Sequence, residues 1–135
     1  MNNIEHIAFA VRSLSNAIPL FEKLLGTPCY KTETVETEKV KTAFFKTGES
    51  KVELLESLTE DGVIAKFIDK KGEGMHHVAF AVEDIESEIL RLKSEGFEFI
   101  NEVPRKGADN KLICFLHPKS TNGILIELCQ EIEVE

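Results

Sequence analysis

Apolar and polar positions along the chain alternate, shift to helical spacing and alternate again, and the cycle occurs twice. Over 4–12 the alternation predicts a strand with Ile7, Phe9 and Val11 on one face and His6, Ala8 and Ala10 on the other. Leu14, Ile18, Phe21 and Leu25 then fall on one side of a helix predicted over 14–25, which Gly26 is placed to end. Pro19 lies inside that pattern and counts against an unbroken helix. Strand-like runs follow at 28–36, 40–47 and 51–58, with Gly48, Glu49 and Ser50 turning the chain between the last two.

The second half repeats the order. A strand is predicted over 76–83, with Val78, Phe80 and Val82 facing one way and His77, Ala79 and Ala81 the other. Ile85, Ile89 and Leu92 trace a helix that Gly96 ends. Strands are predicted at 97–103, 111–116 and 123–129, with turns at 107–110 and 118–122. Segment 59–75 reads as a short helix followed by a flexible linker. The expectation is an α+β fold of two strand-helix-strand-strand-strand (βαβββ) modules, about 1–58 and 76–135. Neither half can bury a good core by itself, so residues 1–135 are expected to form one domain around a pseudo-twofold axis.

The repetition extends to chemistry. His6-Ile-Ala-Phe-Ala-Val11 returns as His77-Val-Ala-Phe-Ala-Val82, and each copy is followed by a glutamate within an apolar strand, Glu53 in the first half and Glu127 in the second. In both copies the histidine shares its face with two alanines, which leaves that face shallow, as a cavity wall would be. A carboxylate between Val52 and Leu54, or between Ile126 and Leu128, needs compensation if its strand is buried. A divalent cation would supply it, and imidazole with carboxylate suits Zn²⁺, Co²⁺, Ni²⁺, Fe²⁺ or Mn²⁺. A single strand histidine or glutamate is ordinarily a packing or solvent-facing residue; recurrence of all four in matching frames points to metal binding. Glu56, whose counterpart is Gln130, is expected to face solvent, His76 to lie at the surface or behind a ligand, and His117 to be structural, with lining of the substrate site as the alternative.

Charge narrows the partners. Sixteen basic and 24 acidic residues give a net charge of −8, and no basic stripe with interleaved aromatics is present, so nucleic acid is not an expected partner. The N-terminus lacks the basic and apolar regions of a secretory signal, and no apolar run is long enough to cross a bilayer. Cys29, Cys114 and Cys129 are odd in number and set among apolar neighbours, which fits buried thiols in a reducing cytoplasm. An acidic tail (Glu131, Glu133, Glu135) is expected to be solvated.

These features resemble the vicinal-oxygen-chelate superfamily, whose paired βαβββ modules curl into a cup-shaped mixed sheet around one metal. Within it, Asn3–Val11, Lys51–Glu56, Gly74–Val82 and Cys114–Cys129 resemble the methylmalonyl-CoA epimerase family, above all through the doubled histidine at 76–77 and Leu116-His-Pro-Lys-Ser120. The resemblance implies metal ligands at His6, Glu53, His77 and Glu127, with Co²⁺ as the favoured ion and Zn²⁺, Mn²⁺ or Ni²⁺ as alternatives. It implies an acyl-CoA substrate inverted through an enolate, Glu127 and Glu53 as the catalytic bases, and a homodimer. Some family members are thought to use a further glutamate on the strand before the first-module ligand; 40–46 contains none here. Arg105, Lys106, Lys111 and Lys119 are cations near the second-half turns, with none assigned to the CoA phosphates. Alternatives on the same scaffold are a glyoxalase I-type lactoylglutathione lyase, a non-enzymatic small-molecule-binding module and a ring-cleaving dioxygenase.

Overall fold

A computed structural model of the chain describes residues 1–133. Two compact units are present, one over His6–His76 and one made of Met1–Glu5 with the chain from His77 onward.

The first unit holds β1 (Ile4–Ala10, its first two residues counted with the other unit), α1 (Leu14–Leu25), β2 (Lys31–Val35), β3 (Val40–Thr47), β4 (Ser50–Ser57) and α2 (Val63–Lys71). Its strands lie in the order β2-β3-β4-β1. β1 is parallel to β4, while β3 runs antiparallel to both β4 and β2. Helix α1 starts where Ser13 accepts the N–H of Asn16 and stops at Gly26, whose φ of 67° is the left-handed conformation that favours glycine. It passes through Pro19, which sits on the exposed side where the carbonyl left without an N–H can reach water. Its apolar stripe (Leu14, Ala17, Ile18, Phe21 and Leu25) packs on Phe9, Val11, Phe45 and Leu54. Each fully buried side chain of this size contributes about 1.5–3 kcal/mol.

Helix α2 covers part of the opposite face, with Ile64 and Ile68 packed on Ala8, Ala10, Val40 and Leu55. The two alanines after His6 are therefore closed over by α2 rather than open as a cavity wall. Segment 59–75 is also less of a linker than its composition suggests. Strand β5 (Gly74–Ala81) begins two residues after Gly72, and Glu73 is anchored by the Arg12 N–H at 2.9 Å and the Arg12 guanidinium at 3.3 Å.

The second unit continues with α3 (Ile85–Ser94), β6 (Arg105–Lys106), β7 (Lys111–Phe115) and β8 (Ile126–Glu131), its strands in the order β5-β8-β7-β6. β5 is parallel to β8, and β7 is antiparallel to β8 and β6. Asp84 caps α3 by accepting the Ser87 N–H, and Ile85, Ile89 and Leu92 pack on Cys114, Leu116 and Leu128. The βαβββ order thus appears twice, as the sequence predicts.

One predicted strand is broken. Over 97–103 only Phe99 forms a bridge, to Leu116, with Ile100 donating to Phe115 and His117 to Glu98 on either side. Asn101 then turns the backbone by accepting the N–H of Val103 at 3.0 Å, and Pro104 has no N–H to give a ladder. Pairing resumes only at Arg105–Lys106. Glu131 is the last residue of β8 rather than part of a tail, Glu133 is exposed, and Glu135 lies outside the described residues.

Candidate functional site

The parallel register of β1 with β4 sets Ala8 directly beside Glu53. His6, two residues earlier on the same face, reaches the carboxylate diagonally, its Nε2 3.4 Å from Glu53 Oε1. In the second unit β5 pairs with β8 so that Ala79 lies beside Glu127, and His77 Nε2 stands 3.1 Å from Glu127 Oε1. Ala8 and Ala79, the residues beside the two glutamates, are themselves fully buried.

All four side chains are buried: His6 is 6% exposed, Glu53 5%, His77 5% and Glu127 4%. Carboxylates at that depth are costly unless they are paired. Each couple has an imidazole nitrogen and a carboxylate oxygen at hydrogen-bonding or near-hydrogen-bonding distance. In each unit, an imidazole nitrogen beside a carboxylate is a donor pair that suits a divalent first-row ion.

Each couple also has an aromatic companion that sequence reading did not single out. Phe44 on β3 lies directly opposite Glu53, and Phe115 on β7 lies directly opposite Glu127. The Phe115 ring meets the His77 imidazole edge-on, centroids 5.5 Å apart at 89°. A cation covers each ring: Lys31 Nζ is 5.7 Å from the Phe44 centroid, and Arg105 Cζ is 5.9 Å from that of Phe115. The signal was available, since each phenylalanine belongs to the strand before its glutamate, but only the register shows the two are opposed.

Glu56 does not face solvent as expected. Glu56 Oε1 accepts the Leu14 N–H at 2.6 Å, and Gln130 Oε1 accepts the Ile85 N–H at 2.8 Å, each tying a helix start to the strand that carries the buried glutamate. His76 packs edge-on against Phe67, centroids 5.0 Å apart. His117 Nδ1 accepts the Lys119 N–H at 3.1 Å and caps the turn at Pro118–Ser120, a structural role. Lys119 pairs with Glu98 at 3.0 Å.

The cysteines are free thiols, with Cys114 and Cys129 buried and Cys29 half-buried. Burial pushes the Cys114 thiol up to about 12; the Glu127 carboxylate adds to the shift and Arg105 opposes it. A thiol held protonated is no nucleophile, which argues against covalent chemistry at Cys114.

Duplicated βαβββ units, each with one buried imidazole–carboxylate couple, define a recognisable class. A family model described as the Glyoxalase/Bleomycin resistance protein/Dioxygenase superfamily matches residues 5–115, and the chain belongs to that superfamily. More particularly, it is 34% identical to the mitochondrial methylmalonyl-CoA epimerase of Homo sapiens over 96% of this chain and 74% of that protein. It is 42% identical to an uncharacterised protein of Bacillus subtilis, YqjC, over 96% of this chain and 93% of that one. A solved methylmalonyl-CoA epimerase in complex with methylmalonyl-CoA and NH4+ is 31% identical, covers 100% of this chain and 98% of its own, and superposes with a TM-score of 0.91.

Proposed function

We propose that this protein is a divalent-metal-dependent epimerase that interconverts (R)- and (S)-methylmalonyl-CoA. The observation that carries the reading is the twofold occurrence of a buried imidazole–carboxylate couple in a chain similar, over nearly all its length, to methylmalonyl-CoA epimerases. His6, Glu53, His77 and Glu127 are the proposed ligands of one cation. The donor chemistry fits such an ion, because four buried donors of these two kinds compensate a dication as it compensates them. Family resemblance favours Co²⁺, and Zn²⁺, Mn²⁺ or Ni²⁺ suit the same donors. A cytoplasmic homodimer belongs to the same reading and is carried by the resemblance and the free thiols.

The reaction moves one proton at the carbon between a thioester carbonyl and a carboxylate. The bound cation would supply positive charge where the thioester oxygen gains negative charge. Inversion also needs a base on one face of that carbon and an acid on the other. Glu127 and Glu53 are proposed for these roles, one removing the proton as its partner returns one, with the roles exchanged in the reverse direction. A carboxylate engaged with a cation is a weak base, so the glutamate that takes the proton would need to be free of the cation to do so. The histidines orient these carboxylates: each Nε2 stands against one Oε1. Burial keeps water from competing for the carbanion-like carbon.

The test is α-proton exchange. Protein loaded with a divalent ion should wash deuterium from D₂O into methylmalonyl-CoA and invert its centre, as followed by NMR and chiral analysis. Metal-loaded protein that does neither, while converting methylglyoxal and glutathione, would replace this reading with the glyoxalase type.

A further inference from the structure

After the turn at Asn101 and Pro104, the chain rejoins the ladder of the second unit for two residues only. Arg105 pairs with Ile113 and Lys106 with Leu112, and Gly107 ends the segment. The Gly107 N–H donates to the Lys111 carbonyl at 2.9 Å, and a Cβ built on this glycine would stand 2.7 Å from Ile113 Cδ1. The hairpin therefore closes directly onto Ile113. Ile113 in turn packs with Ala79 and Cys129, which lie on the strands that carry His77 and Glu127. A strand this short adds little to the sheet; what it does is bring a guanidinium to the second couple.

Register sets the order of the groups. Ile113 opposes Cys129 and Phe115 opposes Glu127, so these four side chains share one face by the two-residue period of a strand. Arg105, opposite Ile113, is diagonal to Phe115, and its Cζ lies 5.9 Å from the centroid of the Phe115 ring. The same ring meets the His77 imidazole, centroids 5.5 Å apart and planes at 89°, and His77 Nε2 stands 3.1 Å from Glu127 Oε1. Guanidinium, benzene ring, imidazole and carboxylate thus follow one another in contact. Arg105 and Phe115 are half-buried, whereas His77 and Glu127 are buried. A cation favours the negative face of a ring, and two rings favour a perpendicular meeting, so each contact constrains the plane of the next group. An imidazole that turned about its Cβ–Cγ bond would give up both the edge-on contact and the approach to Glu127.

We infer that Arg105 and Phe115 are positioning residues for the second couple: the guanidinium holds the plane of the Phe115 ring, and the ring holds the His77 imidazole with Nε2 turned to Glu127. The inference rests on the proposed role of His77 and Glu127 and deepens it, by naming what orients them. Neither Arg105 nor Phe115 has to touch substrate in this role. Groups that fix the orientation of a metal-ligating imidazole matter to the ligand itself, and their loss costs about 10- to 100-fold in metal affinity or activity. Packing alone would keep β5 in place and leave the imidazole free to turn, and that difference is measurable.

The experiment compares Arg105→Met, Phe115→Leu, the double variant and Arg105→Lys with the unaltered protein. In metal-free protein, ¹⁵N–¹H NMR of the His77 ring should show one tautomer, protonated at Nε2, in the unaltered chain. Arg105→Met and Phe115→Leu should show signals averaged between two tautomers. Binding of Co²⁺, measured by calorimetry, should weaken about 10- to 100-fold in both, with a shift in the visible absorption of the bound ion. At saturating Co²⁺, kcat for methylmalonyl-CoA should fall while KM stays nearly unchanged. Because Arg105 acts through Phe115, the double variant should lose no more than Phe115→Leu alone. Arg105→Lys keeps a cation for the ring and should recover most of the loss. A His77 signal unchanged in both Arg105→Met and Phe115→Leu would overturn the inference. So would losses that multiply in the double variant, or a raised KM with kcat retained, which would make Arg105 a substrate contact. The two readings fail separately. An altered His77 signal with weaker Co²⁺ binding, in a protein that does not epimerise, keeps the positioning role and removes the epimerase; epimerisation with an unmoved His77 signal does the reverse.

Discussion

The carboxylate of Glu56 accepts the backbone N–H of Leu14 at 2.6 Å, closing the start of α1 onto β4 three residues after Glu53. Gln130 does the same for Ile85, three residues after Glu127. An amide suffices in the second unit, so the hydrogen bond rather than the charge is what the position requires. Glu56→Gln should therefore change unfolding free energy by only a few tenths of a kcal/mol, whereas Glu56→Ala should cost about 1–2 kcal/mol by removing an acceptor from a helix N–H. Urea denaturation measures both. Equal costs for the two variants would show that charge, through the helix dipole, is the dominant effect.

If His6, Glu53, His77 and Glu127 share one cation, losing any of them should reduce bound metal as well as activity. His6→Ala and His77→Ala should each lower divalent metal per chain, read by elemental analysis after dialysis. Glu53→Gln and Glu127→Gln should slow α-proton exchange by about 10²- to 10⁴-fold, the range for removing a general acid–base group. The enantiomers separate the two bases. With one base per face, each glutamine variant should retain residual exchange preferentially for the opposite enantiomer. Identical losses for (R)- and (S)-substrate in both variants would count against two distinct bases.

The elements were legible because side-chain periodicity reports burial wherever one face packs. Strands β1 and β5 and helices α1 and α3 could be read that way, whereas the four residues of the couples stood out because they recur in matching frames of the two halves. Leu14, Phe21 and Leu25 show the rule, since all pack where their spacing puts them. Cross-strand register was not legible. The opposition of Phe44 to Glu53 and of Lys46 to Lys51 depends on how β3 pairs with β4, which alternation does not specify. The strand at 97–103 misled because Phe97 and Phe99 alternate with polar residues and pack on the α3 cluster, while the break comes from local hydrogen bonding at Asn101 and the missing N–H of Pro104. Glu56 misled for another reason: a half-buried side chain that caps a helix looks, in sequence, like the solvent face of a strand.

Metal removal should be visible in stability as well as in catalysis. Ligand that binds only the folded chain stabilises it by mass action, about 2.7 kcal/mol when free ligand is a hundredfold above Kd. Chelator-treated protein should thus melt several degrees below protein given excess Co²⁺ or Zn²⁺, by calorimetry. In Glu127→Gln the interval between the two melting points should shrink. Melting points that coincide with and without divalent ions in the unaltered protein would argue that the couples stabilise themselves without a cation.

Cys114 gives the fold an alkaline limit. Its thiol is fully buried and pushed up from its ordinary 9.0 to about 12, chiefly by burial, so between those pH values the unfolded chain loses the proton and the folded chain keeps it. The folded state then binds more protons, and stability must fall as pH rises through that window, by at most about 1.4 kcal/mol per unit; below pH 9 the effect is absent. Lysine and tyrosine titrate in the same range, so the comparison that isolates the thiol is between the unaltered protein and Cys114→Ala. The variant loses packing and is expected to be less stable at pH 8, but its decline toward pH 11 should be shallower. Chemical denaturation at several pH values reads both slopes. Parallel slopes would mean that the Cys114 proton leaves as readily in the folded chain as in the unfolded one.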